Sequence, residues 1–293
     1  MISGFVKYFL VLNLFLLTTG CIYQSSRNSA VTDSNTAVAQ QTEPSDATSV
    51  KSFDRSDKTS DLGDFLVEHT EPKQKRFAEY ERKIREEKML EKAADTLNRS
   101  LILPYDVTFR AKECGEINAL YDSADRSITV CYEIMEHFYK LFRSEGTVEE
   151  EAGRKMFDAV RFAFLHELGH ALIDAYDLPL TGNEEDAADR LSSYICLEEM
   201  GEDGIRAVLA AADAFKIEAE NATPKNEDMA DEHLLQEQRF YNTLCMIYGS
   251  DTKKYDYFVS RKYLPENRAA RCPKEYERMA KSWSELLEKW RKD

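Results

Sequence analysis

Two histidines four residues apart, with a glutamate directly after the first, are the residues of this chain best suited to metal chemistry. They form the motif His166-Glu167-Leu168-Gly169-His170, which lies in a predicted helix. Helical residues four apart share a face, so both imidazoles can reach one metal ion. Glu167 is rotated by about 100° from His166, so its carboxylate can stand beside the ion without ligating it. The motif predicts a catalytic Zn2+ whose bound water gives its proton to Glu167.

The surroundings of this motif make a chance match a poor explanation. The chain has only 5 histidines, and residues 163–173 are otherwise almost entirely apolar. Two imidazoles and a carboxylate are costly to bury in such a helix unless a charged partner or a metal compensates them. A bound metal ion is therefore the favoured explanation.

A third metal ligand is expected from the acidic stretch at residues 183–189, NEEDAAD. Glu185 and Asp189 are one helical turn apart, so one carboxylate can bind the metal while the other accepts a hydrogen bond from a ligand histidine. We expect Glu185 to be the ligand and Asp189 the partner, although Asp189 as a direct ligand stays open. Glu184 is the weaker choice because no acid follows it at +4. Alternatively, these acids only cap a helix N-terminus, which would suit Glu184 and Asp186.

Helix signals indicate which elements position these groups. Thr147 and Glu150 form a capping-box pattern, which predicts the start of a helix that runs to about Tyr176. Asn183 can cap a second helix, which ends near Met200. Further helices are predicted at roughly 203–220, 230–248 and 273–290.

A short region of alternating polar and apolar residues precedes these helices. The pattern predicts strands at residues 105–109, 118–121 and 127–132, with a turn at 122–125 between the last two. This predicts a small antiparallel sheet.

The region before the strands, residues 72–99, predicts one long charged helix with a thin apolar stripe. We therefore expect an α+β domain over residues 71–293 whose core occupies residues 100–293.

The N-terminal residues predict export and attachment to a lipid. Residues 1–20 combine one lysine, an apolar run too short to span a bilayer, and small residues before Cys21. The stretch LLTTGC resembles the lipobox of bacterial lipoproteins, whose cysteine is acylated; an ordinary secretory signal is the alternative. The polar residues 21–70 are expected to form a disordered tether. These features predict a cell-envelope protein that is lipid-anchored, at the outer membrane or periplasmic face if the source is Gram-negative.

Five cysteines remain besides the one in the lipobox. In an oxidising compartment the economical pairing joins Cys114 with Cys131 and Cys245 with Cys272, and it leaves Cys196 free. The absence of a C-x-x-C pair argues against thiol–disulfide catalysis and against a cysteine zinc site.

The overall charge bears on possible partners. The chain has 54 acidic and 39 basic residues and a net charge of −15. Nucleic acids and anionic membrane surfaces select basic patches, so neither is an expected partner. Contact with a membrane is expected through the lipid anchor only.

The HExxH motif and the downstream pair Glu185 and Asp189 together resemble the gluzincins, the thermolysin-like zincin metallopeptidases. Residues 118–121, Asn-Ala-Leu-Tyr, resemble the edge strand whose backbone pairs with an extended peptide in those enzymes. The resemblance implies a thermolysin-like core in which Asn118 and Ala119 bind substrate.

Residues 95–293 are similar to the DUF4344 family of metallopeptidases. The stretches that carry the similarity include ECGEINALYD, FLHELGHALIDAYDLPLTGNEEDAADRLSSY, EHLLQEQRFYN and LPENRAARCPKEY. The resemblance implies a zinc peptidase that acts on peptide or protein substrates. The alternative is a catalytically silent lipoprotein that uses the same fold as a binding or structural module.

The remaining histidines differ in what the sequence suggests for them. His233 follows the acidic helix, where thermolysin-like enzymes supply a histidine that stabilises the oxyanion, so the resemblance implies this role for it. Tyr241 and Arg239 are alternatives for the role. His137 lies among apolar residues and is expected to be an ordinary packed histidine, and His69 carries no signal.

Overall fold

The structure is a computed structural model that describes residues 60–225 and 229–292. The predicted signal at residues 1–20, Cys21 and the predicted tether up to residue 59 lie outside the described residues. Across the described ranges, no helix has the combination of length and apolar character that crossing a membrane requires.

The described chain is an α+β structure in which helices predominate, as the sequence predicts. The strands are β1 (Phe65–His69), β2 (Val107–Lys112), β3 (Ala119–Asp122) and β4 (Ser127–Cys131). The helices up to the metal-binding motif are α1 (Ala78–Glu86), α2 (Met89–Ser100), α3 (Tyr132–Ser144) and α4 (Glu149–Tyr176). The later helices are α5 (Glu184–Tyr194), α6 (Gly201–Asn221), α7 (Gln236–Ser250), α8 (Tyr257–Ser260), α9 (Glu266–Ala269) and α10 (Cys272–Glu288).

The sheet is mixed, so the prediction of an antiparallel sheet was wrong. Its strand order is β1-β2-β4-β3, with β1 parallel to β2, β2 parallel to β4, and only β3 antiparallel to β4. The connection from β1 to β2 runs through α1 and α2, which is the long crossover that parallel strands need. Alternation in a sequence indicates a strand but not its direction, so the pattern could not distinguish the two arrangements.

The predicted tether and the predicted long helix both need correction where they overlap the described residues. β1 falls inside the range assigned to the tether, so ordered structure begins before residue 71. The predicted helix over residues 72–99 is two helices, α1 and α2, because Lys88 adopts a left-handed conformation with φ of 51°. This break turns the chain so that Ile84 of α1 and Leu90 of α2 are both buried.

Of the two predicted helix caps, only the one at Asn183 forms. The predicted capping box at Thr147 is absent, because α4 starts after Val148 without a side-chain cap. Glu149 and Glu150 lie in its first turn, where negative charge suits the helix dipole. The predicted cap of α5 is present, because Asn183 Oδ1 accepts a hydrogen bond from the backbone N–H of Asp186 at 3.2 Å.

An aromatic cluster packs α4 against the sheet. Phe109 of β2 meets Phe164 of α4 edge-on, with ring centroids 4.8 Å apart. Phe65 of β1 also packs against Phe109, with ring centroids 5.0 Å apart. Phe164 lies two residues before the HExxH motif, so this packing holds the motif beside the sheet.

Two disulfides form with the pairing that the sequence spacing predicts. Cys114 is bonded to Cys131, and Cys245 to Cys272, while Cys196 is free and buried. The first disulfide joins the loop after β2 to the end of β4, so it fixes the segment that leads into β3.

Candidate metal site

Donor atoms of three residues, His166, His170 and Glu185, meet between α4 and α5. His166 Nε2 lies 3.2 Å from His170 Nε2 and 2.9 Å from Glu185 Oε2. His170 Nε2 lies 3.4 Å from Glu185 Oε1. Both imidazoles therefore turn the same nitrogen toward one carboxylate, as the spacing of the two motifs predicts.

These separations fit a tetrahedral metal ion. Zinc binds imidazole nitrogen and carboxylate oxygen at about 2.0–2.1 Å, so two ligand atoms of a tetrahedral site are about 3.3 Å apart. The three observed separations, 2.9, 3.2 and 3.4 Å, bracket that value. The donor set of two imidazoles and one carboxylate also suits zinc.

A carboxylate on the far nitrogen of each histidine fixes the orientation of its ring. His166 Nδ1 lies 2.8 Å from Asp189 Oδ1, and His170 Nδ1 lies 2.8 Å from Glu184 Oε1. A ring that donates its Nδ1–H to a carboxylate presents Nε2 with its lone pair free for a metal. Asp189 was expected in this position. The contact between Glu184 and His170 was not predicted. The prediction considered only acidic residues four positions apart on α5, and Glu184 has no acidic residue at that spacing.

A close approach between the two helices makes this meeting possible. Gly169, inside the metal-binding motif, faces Ala188 of α5. A Cβ placed on Gly169 would lie 3.0 Å from the Ala188 Cα and 3.1 Å from its Cβ, which is tighter than ordinary packing. The glycine therefore lets α5 come near enough for Glu185 and Asp189 to reach the histidines.

Arg239 of α7 forms an ion pair with Asp189. Its Nε and Nη2 lie 2.8 and 2.7 Å from the two oxygens of Asp189, a two-point ion pair. Burial opposes a charge on Asp189, but Arg239 and His166 outweigh it and hold the pKa of Asp189 below its usual range. The guanidinium also stacks over the ring of Phe215, 4.2 Å from its centroid. Arg239 was predicted only as an alternative oxyanion group, since no local signal reveals a contact across 50 residues.

Glu185 dominates the electrostatics of this cluster. Burial disfavours its charge, but hydrogen bonds with His166, His170 and His233 outweigh burial and lower the pKa of Glu185. Burial likewise opposes a charge on His170, yet hydrogen bonds with Glu185 and Glu184 raise its pKa to about 9. The carboxylate of Glu185 therefore favours positive charge on the histidines, and a metal cation bound there would take the place of their protons.

Glu167 stands beside these donors and contacts none of them. It is buried, and its Oε2 accepts a hydrogen bond of 2.7 Å from the backbone N–H of Tyr121 in β3. Burial raises the pKa of Glu167, although the neighbouring His166 and His170 act against that rise. A raised pKa suits a carboxylate that accepts and returns a proton near neutral pH.

The edge of β3 that does not pair with β4 faces Glu167. The carbonyl of Asn118 accepts a hydrogen bond from the N–H of Cys131 in β4, whereas the N–H of Tyr121 points away from β4 to Glu167. Backbone groups of successive residues alternate between the two edges of a strand, so Ala119 directs its N–H and carbonyl to the free edge. Of the two predicted substrate-binding residues, Ala119 alone therefore has backbone groups available to a peptide there.

His233 also reaches the donor cluster. Its Nε2 lies 3.0 Å from Glu185 Oε2, and its Nδ1 and backbone N–H lie 3.0 and 2.8 Å from Asp231 Oδ1. Asn183, the cap of α5, donates a hydrogen bond of 2.6 Å to the carbonyl of Glu232. The segment that carries His233 is thereby tied to the helix that carries Glu185, and the ring is about half exposed.

Part of this group lines a cavity of about 680 Å³, whereas His170, Glu184, Glu185 and Asp189 are not among the residues that line it. Asn118, Ala119, His166, Glu167, His233 and Arg239 are among its walls. Tyr241, the other predicted alternative for the oxyanion role, lies on α7 but does not line this cavity.

The other histidines lie apart from the donor cluster. His69 pairs with Glu91 at 2.7 Å, and His137 pairs with Glu218 at 2.7 Å. His137 lines the cavity as well, so it is not simply packed in the core as expected.

Replacing Asp189 with asparagine should weaken metal binding and destabilise the protein. The amide removes the charge that orients His166 and leaves Arg239 buried without its anion. Loss of such a supporting carboxylate costs about 10- to 100-fold in metal affinity, and a buried unpaired charge costs about 3–5 kcal/mol. Zinc titration and thermal melting measure both effects.

The matched control is Asp186→Asn on the same helix. Asp186 pairs with Arg190 at 2.6 Å, one turn away and partly exposed, so its loss should change both quantities little. Equal effects from the two substitutions would contradict the role assigned to Asp189.

Comparison with known proteins agrees with this geometry. The sequence profile of the DUF4344 family, described as "Putative metallopeptidase", matches residues 69–287. No curated protein and no solved structure matches the chain.

Proposed function

The chain belongs to the DUF4344 family, and from that membership and the site geometry we propose that it is a zinc-dependent peptidase. His166, His170 and Glu185 would hold the metal, and Glu167 would be the general base. The observation that carries the proposal is that His166 Nε2, His170 Nε2 and the two oxygens of the Glu185 carboxylate make contacts of 2.9–3.4 Å, beside the buried carboxylate of Glu167, which takes no part in these contacts. A purely structural site has no need of that fourth group.

Each residue has a defined task in this mechanism. Bound zinc would act as a Lewis acid and would lower the pKa of water toward about 7. Glu167 takes the proton of the attacking water and returns it to the leaving amine, and the N–H of Tyr121 keeps its carboxylate in position. The free edge at Ala119 pairs with the backbone of an extended substrate, which gives affinity whatever the sequence.

His233 has the remaining task. Its half-exposed ring lies beside Glu185 and stacks near the ring of His166, with centroids 6.1 Å apart. From there it would donate a hydrogen bond to the oxygen of the carbonyl that is being attacked. The hydrogen bond between Nδ1 and Asp231 holds the ring, and the negative charge of the Asp231 carboxylate favours the protonated, donating form. Burial and the contact with Glu185 act in opposite directions, and the pKa of His233 is raised because Glu185 prevails.

The same contact also supports a second candidate function. His233 Nε2 and the donor atoms of His166 and Glu185 lie within 4.8 Å of one another. If His233 were a further ligand beside His170, four protein groups would close the site, as in structural zinc sites. The protein would then be a catalytically silent binding or structural module.

Replacing His233 with alanine distinguishes the two functions. For a peptidase we expect zinc to be retained and peptide hydrolysis to fall by about 10²- to 10³-fold, the usual effect of losing an oxyanion donor. For a closed site we expect zinc affinity to fall with His233, and no hydrolysis by the wild type. Bound zinc is measured by elemental analysis, and hydrolysis with an unstructured protein substrate.

We also propose that the mature protein is exported and lipid-anchored through Cys21. The lipobox-like stretch before Cys21 and the two disulfides support this location, since disulfides persist in oxidising compartments. Mass spectrometry of the protein from its native envelope would show an acylated N-terminal Cys21. An unmodified N-terminus at another residue would contradict the proposal.

A further inference from the structure

The cavity that holds the candidate catalytic groups extends along α4. His166, Ala163 and Ala159 line it, and they follow one another at about one helical turn. The seven residues from Ala159 to His166 rise by about 10 Å at 1.5 Å per residue. The cavity therefore has room for a long substrate side chain as well as for the reacting bond.

Most of the wall along this extension is apolar. The side chains that line it come from α3, α4 and α6, and they include Ile134, Phe138, Phe162, Ala211, Ala214 and Phe215. Such a wall suits the hydrocarbon part of a substrate side chain, and the few polar groups in the wall determine which end group that side chain can carry.

One ion pair interrupts this apolar wall. Glu218 of α6 and His137 of α3 both line the cavity, and Glu218 Oε1 lies 2.7 Å from His137 Nε2. α3 and α4 form a hairpin joined by residues 145–148, so they run antiparallel. His137, about two turns before the end of α3, is therefore level with the N-terminal half of α4. The pair therefore lines the part of the cavity beside the N-terminal half of α4, which His166 follows in the chain.

The charge near this pair favours a cation. Glu218 Oε1 contacts His137, whereas no described residue donates a hydrogen bond to the other oxygen, Oε2. The nearby guanidinium of Arg239 directs its hydrogen bonds to Asp189 instead. Besides Arg239, the basic residues that line the cavity are histidines, and His137 is the one paired with Glu218.

We propose that this extension is the specificity pocket for a lysine or arginine side chain next to the scissile bond. Its stem lies along the apolar wall, its cationic tip binds Glu218, and His137 holds the carboxylate in position. A cation and a carboxylate form a short hydrogen bond about twice as strong as a neutral one. This proposal rests on the proposed peptidase function and names its substrate class.

The test compares peptides that differ only at the residues flanking the cleaved bond. We expect the wild type to cut lysine and arginine peptides at least about 10-fold faster, by kcat/KM, than leucine, tyrosine or glutamate peptides. Glu218→Gln should lower kcat/KM for the basic peptides by about 10- to 100-fold, the range of a hydrogen bond to a charged group. Hydrolysis of leucine peptides should change by less than about 3-fold.

Glu237→Gln is the matched control, because it removes an exposed carboxylate of the same cavity and should keep the preference. Equal cleavage of basic and leucine peptides by the wild type would overturn the pocket and leave the peptidase function standing.

A second experiment measures peptide binding and does not require peptide hydrolysis. The Glu167→Gln protein, with and without Glu218→Gln, is titrated with lysine and leucine peptides by calorimetry. Tighter binding of the lysine peptide that Glu218→Gln abolishes would support the pocket even if the wild type cut nothing, in which case the peptidase function alone fails. Equal binding of both peptides would overturn the pocket.

Discussion

Replacing Glu167 with glutamine should abolish most hydrolysis while leaving the zinc in place. The amide keeps the shape of the side chain and can still accept the hydrogen bond from the N–H of Tyr121, but it cannot take a proton. General-base catalysis contributes about 10²- to 10⁴-fold, so we expect kcat/KM to fall by about 10³-fold. Glu167 contacts none of the three donor atoms, so zinc content should stay at one ion per chain.

The control for this experiment is again Glu237→Gln, which removes one negative charge from the same cavity. If simple loss of charge explained the effect, both substitutions would reduce hydrolysis alike. Activity of Glu167→Gln above about a tenth of the wild type would show that another group is the base. Loss of zinc from Glu167→Gln would show that the carboxylate is a ligand instead.

Removal of zinc should lower the melting temperature by about 8–16 °C. In the proposed site a metal ion would take the place of the hydrogen bonds between Glu185 on α5 and the two histidines on α4, and it would link the two helices. Free zinc at about a thousand times its Kd stabilises the folded state by about 4 kcal/mol. In a domain of this size, each kcal/mol shifts the melting temperature by about 2–4 °C.

Melting curves with zinc and with a chelator measure the difference. His170→Ala should remove it, because one of three ligands is lost, whereas His69→Ala should keep it, because His69 pairs with Glu91 and lies apart from the donor cluster. The proposal of a metal site would be wrong if the chelator did not change the melting temperature of the wild type and elemental analysis found no zinc.

Much of the candidate site could be predicted because its signals are local. The four-residue spacing of His166 and His170 places both rings on one helix face whatever the rest of the fold does. The same argument applies to Glu185 and Asp189 on α5, and Asn183 marks where that helix begins. Each of these inferences needed only the geometry of one helix.

Predictions failed where the structure depends on contacts between distant segments. The sheet was predicted as antiparallel because the strand pattern carries no direction, and β1 was overlooked ahead of the crossover that makes its pairing parallel. The break at Lys88 follows from burying Ile84 and Leu90 in the same core from two differently directed helices. No propensity in that charged stretch reveals it.

The chain alone therefore specified which residues could hold a metal and which could act as the base, since helical periodicity brings together residues one turn apart. Only the folded structure decided what surrounds them: Arg239 on Asp189, the N–H of Tyr121 on Glu167, and the pair of His137 and Glu218 along the cavity. These contacts join residues 46 to 81 positions apart. No periodic pattern extends over such distances, and the contacts arise only when the helices pack against one another and the sheet.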